Sequence, residues 1–550
     1  MSFLEMGVII FIFIILSVVF GKYIYKIMVF KESKMDKFFD KLENPIYKFL
    51  GIQSDKNMSW KIYGLCILGS NIIMMVIGFI ILKLQGGLLL NSNGAGAMSS
   101  DLSINTVISF MTNTNLQDYA GETSLSYLSQ MTVITFLMFT SAATGFAVAG
   151  SFMRCITGDK KGVGNFFQDM IRIVLRLLVP VCIVISVILI AQGVPQTLNG
   201  PKVVTTIENK EQVIPLGPVA SLESIKHLGT NGGGFFGANS SHPFENPTPL
   251  TNAIEMLSMM AIPGAMIYAF GLATKNKKQG WTIFISLLAL FIVGLAICYH
   301  SESSFGISGN MEGKELRFGI VDSSLFTTVT TAFTTGSVNN MHDSLTPLGG
   351  MVAMGNMMLN TVFGGKGVGF MNSIMYSIIA VFLCGLMVGR TPEFLGKKIE
   401  VKEIKLLSLA ILIHPIIILI PSAIALNVQA GTSAITNGSY HGISQVIYQF
   451  ASSAANNGSG FEGLADNTVF WNLLTGLVMF LGRYLSMIIL IAVAASMANK
   501  KLVPESDGTL KTDNGTFGVI LVATILIVGA LTFLPALALG PIAEHLTMGL

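Results

Sequence analysis

The sequence predicts an all-α polytopic membrane protein: ten transmembrane helices built as four span–pore-helix–span repeats, with one extra helix at each end. Three observations predict it. The 550 residues are 52% hydrophobic and only 11% charged, with a mean hydropathy of +0.67, whereas soluble domains carry about 25% charged residues. Ten apolar stretches are long enough to cross a bilayer core of about 30 Å. Four shorter apolar stretches, each closed by a Thr/Asn/Gly knot, lie between them. The composition excludes a soluble fold, a disordered chain and a nucleic-acid binder. The five cysteines form no spaced pairs, which argues against a disulfide framework or a zinc site.

The spans are read at 7–28, 61–84, 129–154, 172–193, 251–273, 280–299, 346–389, 404–427, 468–498 and 516–540. The first is preceded by Glu5 and followed by Lys22 and Lys26, so it reads as a retained span with its N-terminus outside rather than as a signal peptide. Charge tests that orientation. Residues 22–61 carry nine Lys/Arg, 154–176 five, 275–278 three, 390–405 five and 500–511 three, together 25 of the 33. All face the cytoplasm if odd spans run inward, and both termini are then outside. Lys83, Lys202, Lys210, Lys226, Lys314 and Arg317 are assigned to the outer side, leaving Lys366 and Arg483 at membrane depth.

The short stretches are 101–112, 218–230, 322–335 and 441–455. Each opens with helix-start chemistry: Asp101, Pro218 with Ser221, Asp322 with Ser323, and Gly442 before Ser444. Each ends in a polar knot, at 112–115, 230–234, 334–337 and 456–459. From Thr114 to Gly232, Gly336 and Gly458 the spacings are 118, 104 and 122 residues, which suits a large membrane repeat. A half-length helix stopping inside the membrane aims its partially negative C-terminal end at the centre, favouring a cation. Glycine beyond it frees the backbone so that carbonyl oxygens can replace an ion's hydration shell. A single knot of this kind is ordinarily an external turn. Four copies on one side, each after a half-length helix, point to an ion site.

The seventh span has 44 residues, or about 66 Å of helix, twice the core thickness. The run Gly364-Gly365-Lys366-Gly367-Val368-Gly369 is expected to break it, as a gate or as a packing bend; Lys366 favours the gate, because an ionisable group at this depth is functional by default. Arg483 in the ninth span is read as either a gate or a brace bonded to broken-helix carbonyls, and His414-Pro415 in the eighth as a kink with a satisfied histidine. The abundant Met and Phe imply packing and lipid contact, with no cofactor box.

Three longer stretches carry a resemblance: Gly229–Pro247 (GTNGGGFFGANSSHPFENP), Gly389–Lys398 (GRTPEFLGKK) and Ala530–Pro541 (ALTFLPALALGP). Through them the whole chain resembles the potassium-binding subunits (KdpA) of the bacterial Kdp-type potassium-transporting ATPases, within the superfamily of potassium transporters. The resemblance implies a protein of the bacterial inner membrane that selects extracellular potassium, while a separate P-type ATPase subunit (the B component) uses ATP and magnesium. A single-span C component and a small hydrophobic F component complete such complexes, and membrane lipid surrounds them. It places the potassium filter on Asn113, Thr114 and Asn115, on Thr230, Asn231 and Gly232, on Thr334, Thr335 and Gly336, and on Asn456, Asn457 and Gly458. Gln117 matches a position implicated in passing the ion on. The third knot has two threonines where relatives often have Ser-Cys or similar. The family often has an acid where Asn360 stands and an apolar residue where Lys366 stands, so roles at those two positions do not carry over.

The repeats then divide the chain as 1–60 (extra span and basic loop), 61–156, 169–274, 279–392 and 403–500 (four pore repeats), and 514–550 (extra span). No cofactor is expected in this chain, which lacks both Asp-Lys-Thr-Gly and a phosphate-cradling loop; Thr157–Lys161 reads only as a basic turn. An autonomous channel-like uptake protein of the same superfamily is the alternative, disfavoured by the motifs at 229–247 and 389–398. A membrane enzyme would need a nucleophile–base pair or metal ligands at helical spacing, which the sequence lacks. Gly232→Ala is expected to damage ion selection, and Gly271→Ala to be milder.

Overall fold

The computed structural model describes residues 3–29, 36–53, 56–158, 162–389, 391–504 and 509–548. Lys31, Lys34, Asp159, Lys160, Lys161 and Arg390, which enter the basic loops and motifs above, lie outside them. Ten described helices are long and apolar enough to span: Phe3–Val29, Trp60–Gly87, Tyr127–Thr157, Phe166–Ala191, Pro249–Ala273, Lys277–Ser303, Val368–Met387, Val401–Asn427, Val469–Ala498 and Gly515–Met548. Each matches a predicted span. The seventh is broken as expected, into Pro347–Leu359 and Val368–Val388. The break starts four residues earlier than the glycine run, at Asn360, which ends its helix in a left-handed turn (φ 44°).

The four half-length helices are Ser100–Met111, Val219–Leu228, Gly319–Ala332 and Ser439–Ala455. Each sits between two spans, giving four units flanked by Phe3–Val29 and Gly515–Met548. Within every unit the second span is the inner one. The apolar cores of these helices are 61–89% buried, against 28–39% for the first spans, so the former line the centre and the latter face outward. The first span packs along the fifth and the tenth along the sixth.

Three of the four predicted helix starts shift. Ser99 caps the first short helix, its hydroxyl accepting from Leu102 N–H at 3.4 Å. Pro218 precedes the second as expected. The third begins at left-handed Gly319 and the fourth at left-handed Ser439, ahead of Asp322 and Gly442. Asp322 is buried inside its helix, where Asn252 Nδ2 approaches it at 3.4 Å. The sharp left-handed turn into these helices sets their start, and that conformation left no side-chain signature in the sequence.

The basic loop after the first span contains an unexpected amphipathic helix, Asp36–Phe49, with Phe39, Glu43 and Tyr47 buried. Arg176 fastens it, meeting Asp36 at 2.5 Å, Asp40 at 2.9 Å and Glu43. The spacing of those three acids, one per helical turn, is the signal in the sequence. Lys226 and Lys314, assigned above to the outer side, are fully buried in ion pairs with Glu223 and Glu245, and with Glu302. A Cβ on Gly271 would stand 2.9 Å from Gly280 Cα, where two spans touch.

Candidate functional site

All four half-length helices end in one geometry. The N–H groups of Thr114, Asn231, Thr335 and Asn457 reach back five residues to the carbonyls of Ser109, Lys226, Thr330 and Ser452, at 2.9, 2.8, 2.8 and 2.9 Å. The residue before each is left-handed: Asn113 (φ 63°), Thr230 (52°), Thr334 (47°) and Asn456 (55°). This is the helix stop that glycine usually provides. Asparagine tolerates it, whereas a β-branched threonine there stores about 1–2 kcal/mol of strain. The shared bonds also fix the register. Asn115, not Thr114, is the counterpart of Gly232, Gly336 and Gly458, so the first repeat interval is 117 residues rather than 118.

The knots converge on one point. A Cβ on Gly232 would lie 2.5 Å from the Asn457 carbonyl oxygen and 2.6 Å from that of Thr114. On Gly336 it would lie 2.1 Å from the Asn457 oxygen, and on Gly458 1.9 Å from the Thr114 oxygen. Three glycines and two main-chain carbonyls therefore crowd a space that no side chain can enter. The negative ends of four helices point at the same place.

Side chains join neighbouring knots around this ring. Asn113 Nδ2 donates to the Thr230 carbonyl at 2.6 Å, linking the first and second knots. Ser337 Oγ, directly after Gly336, donates to Asn239 Oδ1 at 3.2 Å, and Asn239 Nδ2 donates to the Gly232 carbonyl at 3.0 Å, linking the third and second. Asn457 Nδ2 reaches the Thr330 carbonyl at 2.9 Å. Asn456 Nδ2 reaches Thr114 Oγ1 at 3.0 Å, which closes the circle. Gln117 grips the Gly234 peptide, accepting from its N–H at 2.8 Å and donating to its carbonyl at 3.1 Å. Just beyond Gln117, burial first and then the Asp466 carboxyl push Asp118 well above the usual carboxylate range; burial raises Asp466 to about 6.

The broken span packs against the knots. The Lys366 N–H donates to Thr230 Oγ1 at 2.8 Å, and its ammonium meets the carbonyl oxygens of Asn113, at 3.5 Å, and Asn456. Gly364, Lys366 and Gly367 are left-handed. A Cβ on Gly365 would strike the Phe333 and Thr334 oxygens at 2.6 and 2.7 Å, and one on Gly367 would stand 2.7 Å from the Ala149 Cβ. Arg483 donates to the Ser141 carbonyl at 2.9 Å. That carbonyl belongs to the intact third span, so a brace onto broken-helix carbonyls is not what it forms. Asn360 accepts from Thr334 Oγ1 at 3.2 Å and pairs with His414 Nε2 at 3.1 Å. His414 Nδ1 has no hydrogen-bond partner among the described residues, so this histidine is only half satisfied.

Two features escaped sequence reasoning. One is a buried network behind the second knot, where Lys226 Nζ meets Glu223 at 2.9 Å, Glu245 at 2.7 Å and Ser240 Oγ at 3.1 Å. Glu223 and Lys226 stand one turn apart, which was legible; Glu245 is 19 residues on and was not. The other is the isolation of Asn115, a residue the resemblance put in the filter: it is 1% exposed, and its amide has no hydrogen-bond partner among the described residues.

Ten spans around four re-entrant helices, with a broken span beneath their meeting point, define a multi-pass ion-transport protein. The family model described as the potassium-transporting ATPase A subunit (KdpA) matches residues 7–546. The potassium-transporting ATPase potassium-binding subunit of Clostridium acetobutylicum is 57% identical over 558 residues, covering 100% of both chains. That of Geobacillus kaustophilus is 57% identical over 545 residues, 97% of each. Among solved structures, the crystal structure of the potassium transporter TrkH from Vibrio parahaemolyticus is similar over 76% of this chain and 84% of that one, at 13% identity and a TM-score of 0.49. The chain belongs to the KdpA family of potassium-transporting ATPase potassium-binding subunits.

Proposed function

We propose that the four knots form the potassium filter of this chain, and that it passes the selected ion to a separate P-type ATPase subunit within a high-affinity uptake complex. The observation that carries the reading is the meeting of Gly232, Gly336 and Gly458 with the Thr114 and Asn457 carbonyls at the ends of four helices. Such oxygens can replace the hydration shell of a dehydrated cation without any side-chain charge. The lysine-rich loops face the cytoplasm of a bacterial plasma membrane, so both termini and the open side of the ring are outside. Lys366 and residues 364–367 close the inner side, and the ion leaves sideways past Gln117. The P-type partner carries out ATP hydrolysis with magnesium, the single-span and small hydrophobic partners complete the assembly, and this chain is not itself catalytic. The four pore repeats, 61–156, 169–274, 279–392 and 403–500, each supply one knot.

The test is Gly232→Ala in the assembled complex. Potassium should be needed at about tenfold higher concentration to stimulate ATP hydrolysis, the equivalent of about 1.4 kcal/mol, and other monovalent cations should begin to stimulate it. Gly355→Ala is the control, because a Cβ there meets nothing within 4 Å. An unchanged potassium response in the Gly232 variant would remove the ring from consideration.

A further inference from the structure

The second knot is the least self-supporting of the four. It runs through Gly232, Gly233 and Gly234, three residues whose backbone no side chain of their own restrains. Its shape must be imposed from outside. Gln117 holds Gly234, and Glu245 Oε1 accepts from Phe236 N–H at 2.7 Å. The carbonyl of Gly232, one of the glycines at the meeting point, is held by the Asn239 amide at 3.0 Å.

Asn239 is itself built into position. It is buried and left-handed (φ 55°), a conformation asparagine accepts more readily than most residues. Its Oδ1 accepts from Ser240 N–H at 3.0 Å and from Ser337 Oγ at 3.2 Å. Ser337 Oγ lies 2.9 Å from Ser240 Oγ, which takes a hydrogen bond from the Lys226 ammonium at 3.1 Å. His227 Nε2 lies 3.0 Å from the same Ser337 Oγ, whose single proton goes to Asn239 Oδ1. A donor sequence thus runs from Lys226 through Ser240, Ser337 and Asn239 to the Gly232 carbonyl. Each hydrogen bond in such a chain polarises the next, and its source is a buried ammonium ion pair.

We infer that Asn239 is a specificity-determining positioning residue: its amide, oriented by Ser337 from the third knot, sets the direction of the Gly232 carbonyl and so the size of cation the ring accepts. The inference rests on the reading of the knots as the potassium filter. It differs from it in naming a residue outside all four knots, and in making the third knot control the second.

The experiment uses the assembled complex carrying Asn239→Asp, read by cation-stimulated ATP hydrolysis. Aspartate keeps the shape and tolerates the left-handed backbone, but it faces the Gly232 oxygen with an acceptor in place of a donor. Half-stimulation should require about tenfold more potassium, and the preference for potassium over rubidium and ammonium should shrink by a similar factor, the loss of one buried hydrogen bond. The maximal rate at saturating potassium should stay within about twofold, since the fault lies in ion selection. Ser337→Ala should shift both measures in the same direction by a smaller factor. Added to Asn239→Asp it should change nothing further, because both act through one carbonyl. Parental affinity and preference in Asn239→Asp, with Gly232→Ala still impaired, would overturn the inference and leave the filter reading standing. Parental behaviour in both variants would bring down the filter reading as well. Should Asn239→Asp fail to assemble, parental behaviour of assembled Ser337→Ala overturns the inference alone.

Discussion

Lys366→Met should turn a closed pore into a leaking one. The Lys366 ammonium touches the Asn113 and Asn456 carbonyl oxygens, and the residue is fully buried. A potassium ion passing these oxygens would come within about 4 Å of it. With the Lys366 amine protonated, two unit charges at that distance repel by about 4 kcal/mol at an effective dielectric of about 20. That lowers occupancy about a thousandfold, an upper figure because water in the pore screens it. Methionine fills a similar length without charge or donor, so the repulsion goes and the two carbonyls become free for the ion. Vesicles carrying the complex with Lys366→Met, loaded with potassium and given no ATP, should exchange rubidium at least about tenfold faster than the parent, a hundredth of the full electrostatic effect. Lys366→Arg should stay tight. Arg483→Ala should also stay tight, because its guanidinium is engaged by the Ser141 carbonyl. Vesicles of Lys366→Met as tight as the parent would refute the reasoning and place the barrier elsewhere.

Other outcomes follow from the same geometry. The purified chain alone should release no phosphate from ATP at any potassium concentration; potassium-stimulated hydrolysis in a preparation free of other subunits would contradict this. His441 joins Glu544, at 2.8 Å, to Asp343, at 3.1 Å; burial pulls its pKa down, but the two carboxylates hold it up at about 9. A raised pKa stabilises fully below the usual value near 6.5 and is lost as pH rises through about 9. Melting in detergent should therefore fall over that window by the equivalent of about 2 kcal/mol, reduced from the full shift by solvent screening. His441→Asn should flatten the profile; an unaltered profile counts against the bridge. Asn115→Gly should leave the fold at least as stable, since it relieves a left-handed asparagine and an unpartnered buried amide, yet it should weaken potassium stimulation if that amide serves the ion path. Parental stimulation would reduce Asn115 to a spacer.

What the sequence disclosed and what it withheld divide along a physical line. Spans, half-length helices and the break at 360–367 are local: each is decided by the length of an apolar run or by glycines within a few residues. The joints of the ring are not. Asn456 meets Thr114 across 342 positions, and Ser337 meets Asn239 across 98. No periodicity links such residues, and an asparagine in a polar knot looks the same whether it faces an ion or a neighbouring carbonyl. The burial of Lys226 was hidden for a related reason: Glu245, far along the chain, supplies the partner that makes burial tolerable. The one-residue slip in the interval had the opposite cause: Thr114 was counted against Gly232 by its place in the knot, although the filter triplets already put Asn115 against the glycines, as the five-residue hydrogen bond does.

A pore built from four identical chains must repeat each brace four times. This chain makes every joint with an asparagine amide, but each at its own position and onto its own partner: Asn113, Asn239 (backed by Ser337), Asn457 and Asn456. The freedom is used below the ring, where the broken span touches all four knots at once. Lys366 meets the first, second and fourth through Asn113, Thr230 and Asn456. The Gly364 N–H donates to Ala332 at 3.0 Å, in the last turn before the third. Ring and break therefore share their hydrogen-bond acceptors, and the break cannot move without releasing carbonyls that an ion could take. On the proposed filter reading, a cation arriving at Asn113 and Asn456 would compete directly with the Lys366 side chain. Its differential affinity for the two arrangements would then couple ion occupancy to the state of the break.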